Sequence, residues 1–352
     1  MKSLFLRFVL VMLMGCGMKE PDPAPVYEAL SFDLGISFPP VADAEQRNFT
    51  APLLQELGVE IIRIGEDWRL REPESGQFNW GPLDARIDWA KSNNLRILLT
   101  IQSNGPAWAC SSLQNDNSCV YQDNQDFRNY ITTLLQRHPN RIDKIQFGNE
   151  WMSDFWYIGN GEAFTAAHNI VYDAIQAHSS DTRMVLGGFT TVSLRFLAGC
   201  NGFIEAFYDE DGELIDQAFF DANCDSPEFQ VVLDKINYVL DQARYDEVDI
   251  HLYDDVENWA AYFAYIQSRV QKPIIITEFG GPNVKTEPTD EAYQSERLQA
   301  YIQTIDSMDV SEAYFFKLVE GTQNPYHTES GLINNPDLAK KQSYFRFRDM
   351  NQ

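Results

Sequence analysis

The sequence predicts a single-domain α/β protein of the (β/α)8 TIM barrel class. Two observations predict it. Eight short apolar runs lie between residues 31 and 318, and amphipathic stretches separate them, which is the pattern of βα units around a parallel sheet. The Gly-rich phosphate fingerprint of an open, doubly wound sheet follows none of the runs; Gly187-Gly188 lacks the rest of it.

The runs are SFDLGI (31–36), EIIRI (60–64), RILLTI (96–101), KIQFGN (144–149), RMVLGG (183–188), VDIHLY (248–253), PIIITEF (273–279) and EAYFFKL (312–318). Each is short and largely apolar, as a strand covered by helices must be. Between the second and third runs, Leu83, Ile87 and Ala90 recur at helical spacing, with Asp84, Arg86, Asp88 and Lys91 on the other face. Between the third and fourth, Phe127, Tyr130, Ile131, Leu134 and Leu135 form a second such stripe. The stretch 195–230 reads as an elaborated loop and helix after the fifth run. Its acidic segment Tyr208-Asp209-Glu210-Asp211-Gly212 suits a solvated face; calcium at Asp209 to Glu213 is the alternative, without EF-hand spacing.

Composition narrows the partners. The chain has 352 residues, 27 Lys and Arg against 52 Asp and Glu, and a formal charge of −25. That charge excludes nucleic acid as partner, whose phosphates demand a basic footprint. Hydrophobic residues at 44% and aromatics at 13% suffice for a large packed core. A monomer is expected.

The N-terminus reads as an address. Lys2 and Arg7 precede the apolar run Phe8 to Met14, too short for a mature membrane span, so residues 1–15 are expected to be a signal peptide. Leu13-Met14-Gly15-Cys16 resembles the lipobox of bacterial lipoproteins. That resemblance implies acylation of Cys16, attachment to the membrane through an N-terminal lipid anchor, and a place in the bacterial cell envelope. Gly17 in place of Asp implies an outer-membrane lipoprotein, facing periplasm or surface. Residues 16–29 then form the lipidated Cys and a Pro-rich tether, and residues 30–352 the catalytic barrel. Four Cys remain, which allow three pairings. Cys110–Cys119 and Cys200–Cys224 are preferred, because they close local loops in an oxidising compartment. Zinc is the rival use, but no His or second Cys stands at CxxC-type spacing.

In a barrel the chemistry sits at the C-terminal ends of the strands. Glu150 ends the fourth run and Glu278 the seventh. Two carboxyl groups across one cleft are the apparatus of glycoside hydrolysis, one giving a proton and the other attacking or activating water.

Asn149-Glu150 after the fourth run and Glu278 at the end of the seventh resemble clan A of the glycoside hydrolases, over most of residues 30–345. Other marks agree with that clan: Arg63 late in the second run, His251-Leu252-Tyr253 in the sixth, and Trp68, Glu72-Pro73, Gly76, Phe78, Trp80 and Asp84 after the second. That last segment is similar to families 39, 5 and 42. The resemblance implies a retaining β-glycoside hydrolase acting on a poly- or oligosaccharide. Glu150 would be acid/base and Glu278 nucleophile, with Asn149 on the sugar 2-hydroxyl and Arg63 and Tyr253 holding the nucleophile. Retention implies carboxyl groups about 5–5.5 Å apart, against about 6.5–9.5 Å for inversion.

Around this pair, Trp108, Trp151 and Trp156 are expected to offer ring faces to sugar, and Asn104 and His251 polar contacts. Many clan members carry a Trp at the end of strand eight; here Phe316 or Lys317 takes its place. Lys317 either pairs with Glu320 or meets a sulfate or uronate. No cofactor and no metal are expected, since the five His at 138, 168, 178, 251 and 327 are scattered. The rival readings are a non-catalytic glycan-binding lipoprotein on the same barrel and a metal-dependent barrel hydrolase.

Overall fold

A computed structural model describes residues 27–115, 117–321 and 324–352. The expected signal peptide, Cys16 and most of the tether lie outside the described residues. Eight parallel strands close into a barrel in sequence order. They are β1 (Asp33–Ser37), β2 (Ile61–Glu66), β3 (Arg96–Ile101), β4 (Lys144–Phe147), β5 (Arg183–Phe189), β6 (Glu247–Tyr253), β7 (Ile274–Gly280) and β8 (Val310–Phe315). Each falls on one of the eight apolar runs.

Helices cover the outside: α1 (Ala44–Glu56), α2 (Gly81–Ser92), α3 (Asn124–Arg137), α4 (Gly161–His178), α5 (Pro227–Gln242), α6 (Trp259–Arg269), α7 (Glu291–Asp306) and α8 (Gln342–Met350). Helix α2 buries Leu83, Ile87 and Ala90, and α3 buries Phe127, Tyr130, Ile131, Leu134 and Leu135. These are the stripes the spacing predicts. Asp123 caps α3 by accepting from the Gln125 N–H, which satisfies one orphan donor of its first turn.

Period-two alternation stacks the barrel interior in layers. At the N-terminal end, Lys144 reaches Glu247 at 2.5 Å and Glu312 at 3.1 Å. Above it lies an apolar layer of Ile61, Leu98, Val185, Ile275 and Tyr314. Two residues further along the strands come Arg63, Thr100, Gln146, Asp249 and Thr277, all buried. The apolar layer therefore supports a polar one, and the polar one carries the site.

Two loops are stapled. A hairpin after β3 (Cys110–Asn115 with Ser118–Tyr121) holds the Cys110–Cys119 disulfide. After β5 the chain makes helix Thr191–Cys200, a short hairpin and helix Gln217–Asn223 before α5, and Cys200–Cys224 ties this excursion together. The acidic segment is the hairpin turn: the Asp209 carboxylate accepts from the backbone N–H of Asp211 and of Glu213. Among the described residues no helix is long and apolar enough to cross a membrane.

The Cys200–Cys224 bridge spans 24 positions. Closing a loop of that size removes unfolded-state freedom worth roughly 3 kcal/mol. The Cys200→Ala/Cys224→Ala double variant should lose about that much in urea denaturation; an unchanged midpoint would show that the excursion is held by packing alone.

Candidate active site

The polar layer converges on Arg63, whose side chain is fully buried. Its Nη1 donates to Glu278 Oε1 at 2.5 Å, its Nη2 to Asn149 Oδ1 at 2.7 Å, and its Nε to Thr100 and Gln146. Phe38 covers the guanidinium face, with Cζ 4.5 Å from the ring centre. A guanidinium has only donors, so the Asn149 atom it meets must be the amide oxygen. This leaves the Asn149 NH2 group as a donor for something else.

Glu278 is held from two sides. Arg63 takes Oε1, and the Tyr253 hydroxyl donates to Oε2 at 2.7 Å. Burial alone would raise its pKa, but the His251 and Arg63 charges and these hydrogen bonds overcome it and hold the carboxyl below the usual range.

Glu150 reaches the same space by a strained turn. Past the end of β4, Gly148 has φ +74° and Glu150 φ +45°. The second is the left-handed region, which costs a residue with a Cβ about 1–2 kcal/mol. The turn is fixed by what the side chain meets: Trp156 Nε1 donates to Oε2 at 2.8 Å, and His251 Nδ1 lies 2.8 Å from Oε1. A Glu150 oxygen lies within 4.8 Å of a Glu278 oxygen.

His251 stands between three carboxyl groups. Besides Glu150, its Nε2 is 3.2 Å from Asp249 Oδ2, and Nδ1 is 3.8 Å from Glu278 Oε2. Burial works against its charge, yet Glu278, Asp249 and the hydrogen bonds to Asp249 and Glu150 push its pKa up to about 10. The ring fits because residue 188 is Gly: a Cβ there would sit 2.4 Å from His251 Nε2. Asp249 also accepts from Gln146 at 2.7 Å and from Thr277 N and Oγ1. A buried hydrogen-bond chain thus runs Glu278–Arg63–Gln146–Asp249–His251–Glu150.

The structure brings together Glu150, Glu278, Arg63, Asn149, His251 and Tyr253, and it corrects several expected sugar contacts. Trp151 is fully buried: it stacks on Phe164 and donates to the Gly187 carbonyl, so Trp156 is the indole at Glu150. His251 and Arg63 are fully enclosed and touch the carboxylates instead of open space. Trp108 is half-buried, edge-on to Trp68, and bonded to the Glu72 carbonyl. Asn104, after β3, is buried. The Trp68–Trp80 segment packs this flank: the Trp68 indole donates to Glu72, whose other oxygen takes the Gly76 N–H. Lys317 does not pair with Glu320, which Lys341 holds at 2.6 Å; Lys317 Nζ bonds the Gly321 carbonyl.

Asp249 and Gln146 were missed by reading only strand ends. Both stand in inward register two or more residues before the site, and a polar residue there in an otherwise apolar run is the signal that finds them. Among the described residues, Glu150, His251 and Glu278 are the group able to hold a metal. A protonated imidazole has no lone pair to give, so this set offers a cation its carboxylates alone.

Over residues 217–344, which include Glu278, the chain matches the family described as glycosyl hydrolase catalytic core. Over residues 38–117, which include Arg63, it matches the family described as beta-galactosidase. An endo-1,4-beta-xylanase B of Humicola insolens is 27% identical over 120 residues, 33% of this chain and 32% of that protein. Among solved structures, a family 39 glycoside hydrolase from Bacteroides cellulosilyticus WH2 has TM-score 0.64 at 15% identity, over 93% of this chain and 65% of that one. An exo-beta-1,4-mannosidase from Opitutaceae bacterium strain TAV5 has TM-score 0.63 at 14% identity, over 94% and 61%. A GH10 protein from Paenibacillus barcinonensis has TM-score 0.61 at 13% identity, over 91% and 95%. The chain thus spans about a third of the curated xylanase and under two thirds of the first two structures.

The folded pKa of His251 lies above its ordinary value of 6.5, at about 10. Its contribution to stability is therefore complete below about pH 6.5, declines above that, and is gone past about pH 10. His251→Gln should flatten the fall in urea midpoint between about pH 7 and pH 10. Parallel slopes for both proteins would contradict a charged His251.

Proposed function

We propose that this chain is a clan A glycoside hydrolase that cleaves a β-linked oligo- or polysaccharide with retention of configuration. The observation that carries the reading is the approach of a Glu150 oxygen to within 4.8 Å of a Glu278 oxygen. That approach is in keeping with double displacement, for which carboxyl groups about 5–5.5 Å apart are expected.

Glu278 is the nucleophile. Arg63 and Tyr253 keep it ionised and fix both its oxygens, so it meets the anomeric carbon without reorganisation. Glu150 gives its proton to the leaving oxygen as the anomeric C–O bond breaks and the bond to Glu278 forms. Ester formation removes the Glu278 charge. Glu150, now a carboxylate steadied by His251 and Trp156, takes a proton from water, and that water attacks the anomeric carbon from the face the leaving group vacated, opposite the breaking bond to Glu278. Asn149, its oxygen engaged by Arg63, donates through its NH2 to the hydroxyl beside the reacting carbon.

Xylan is the first substrate to test, because the curated relative is an endo-1,4-beta-xylanase. Glu278→Gln should lower kcat/KM by about 10⁴-fold or more on every substrate. Glu150→Ala should cost about 10²–10⁴-fold on oligosaccharides. It should spare an aryl glycoside whose leaving group departs unaided, and added azide should accelerate that reaction and yield the β-glycosyl azide. NMR of the first product should show the β-anomer; an α-anomer would refute double displacement.

The resemblance of Leu13 to Cys16 to a lipobox supports an envelope lipoprotein, with the Pro-rich residues 18–25 as its tether. Cells expressing the full chain and fed a clickable fatty acid should label it. Cys16→Ser should abolish the label and free the protein from the membrane fraction; a Cys16→Ser protein that stays labelled would contradict the anchor.

A further inference from the structure

Glu150 sits on a stretch that no regular element holds. Between the end of β4 at Phe147 and the start of α4 at Gly161 the chain makes only turns and bends, and Glu150 itself is left-handed. The backbone bonds inside this stretch are local: the Ser153 N–H donates to the Glu150 carbonyl, and the Trp156 and Tyr157 N–H groups donate to the Ser153 carbonyl. Where Trp156 stands, and so how its indole meets Glu150 Oε2, therefore depends on what grips residues 156–158 from outside.

Hydrogen bonds from elsewhere in the fold reach that far end. The Ser103 hydroxyl donates to the Trp156 carbonyl at 2.6 Å. The Ser118 hydroxyl oxygen accepts the Ile158 N–H at 2.7 Å. Lys235 of α5 donates to the Tyr157 carbonyl at the longer distance of 3.2 Å. Both serines are buried, so neither bond is exchanged with water.

The two serines form one support. Ser103 follows β3, and Ser118 opens the second strand of the hairpin that carries the Cys110–Cys119 disulfide. The Cys119 N–H donates to the Ser103 carbonyl at 3.0 Å, which ties them together. The base of the hairpin is closed three times: by the disulfide, by the Gln122 N–H on the Ala109 carbonyl at 2.8 Å, and by the Gln122 side chain on the Cys110 carbonyl at 2.7 Å. Gly105 lets the connection from β3 pass against the bridge, since a Cβ there would sit 3.2 Å from each sulfur.

We propose that this disulfide-closed hairpin is a positioning device for the acid/base group, in which Ser103 and Ser118 act on Glu150 through Trp156. The inference rests on the reading of Glu150 as proton donor and adds the part of the chain that aims it. An indole N–H can only donate, so its bond at 2.8 Å fixes the way Oε2 faces. General acid catalysis needs the proton within hydrogen-bond reach of the leaving oxygen. A displaced Trp156 therefore harms departure of a group that needs a proton and spares one that does not. A support that served folding alone would affect both alike.

The test measures kcat/KM on aryl β-glycosides of the xylo, gluco and manno series, with dinitrophenyl, which departs unaided, and phenyl, which needs a proton. Ser103→Ala, Ser118→Ala and Cys110→Ala/Cys119→Ala should each lose about tenfold or more on phenyl glycosides and stay within about twofold on dinitrophenyl ones. That is a partial form of the about 10²–10⁴-fold that a whole general acid contributes. Cys200→Ala/Cys224→Ala, which opens the other staple, should change both substrates alike. Equal losses on both leaving groups in the serine variants, or no loss on either, overturn the positioning role and leave the proposed reaction standing. The second arm is the indole N–H signal of Trp156 in NMR spectra of isotope-labelled protein, assigned with Trp156→Phe. It should move in both serine variants; a signal unmoved in both overturns the role whatever the kinetics. A moved signal together with a Glu150→Ala variant that loses equally on both leaving groups overturns Glu150 as proton donor and leaves the hairpin as the support of Trp156.

Discussion

Arg63 in contact with Glu278 is the interaction on which the site depends. A guanidinium taken wholly out of water is stable only with its donors filled and its charge met. Here the donors reach Glu278, Asn149, Thr100, Gln146 and Ser37, contributed by strands β7, β3, β4 and β1 and by the turn after β4. One side chain thereby sets the orientation of the Glu278 carboxylate and of the Asn149 amide. The same contacts settle its own desolvation, so the geometry of the candidate site and the stability of the upper barrel are one arrangement.

The second constraint is charge balance across that layer. Glu278, Asp249 and Glu150 crowd around His251, and the imidazolium is the counter-charge that lets them share so small a space. Glu278 stays ionised because two cations and a hydroxyl outweigh its burial. In the proposed double displacement, negative charge would pass from Glu278 to Glu150, and His251 stands between the two.

The sequence made the architecture readable because the strands are buried on both faces. Each apolar run had to be a strand, and helical stripes such as Phe127, Tyr130, Ile131, Leu134 and Leu135 had to pack on it. Glu150 and Glu278 stood out because a carboxylate directly after such a run needs a partner. Trp151 and Trp156 were harder to separate. They are five residues apart on one irregular turn, and only the left-handed turn around Gly148 and Glu150 decides which indole goes inward. Asp249 and Gln146 were hidden by the attention that strand ends attract. The pairing of Lys341 rather than Lys317 with Glu320 depends on the chain returning from 21 residues further on, beyond what local spacing encodes.

The central claim is that Glu278, ionised and clamped, forms the covalent bond to the sugar. Incubation with 2-deoxy-2-fluoro-β-glycosyl fluorides of the xylo, gluco and manno series, followed by proteolysis and peptide mass spectrometry, tests it directly. The fluorine slows release of the intermediate, so time-dependent inactivation should leave one glycosyl group on the peptide containing Glu278 and none on that containing Glu150. A label on Glu150 or any other residue, or continued turnover of normal substrate with no adduct formed, would contradict the account.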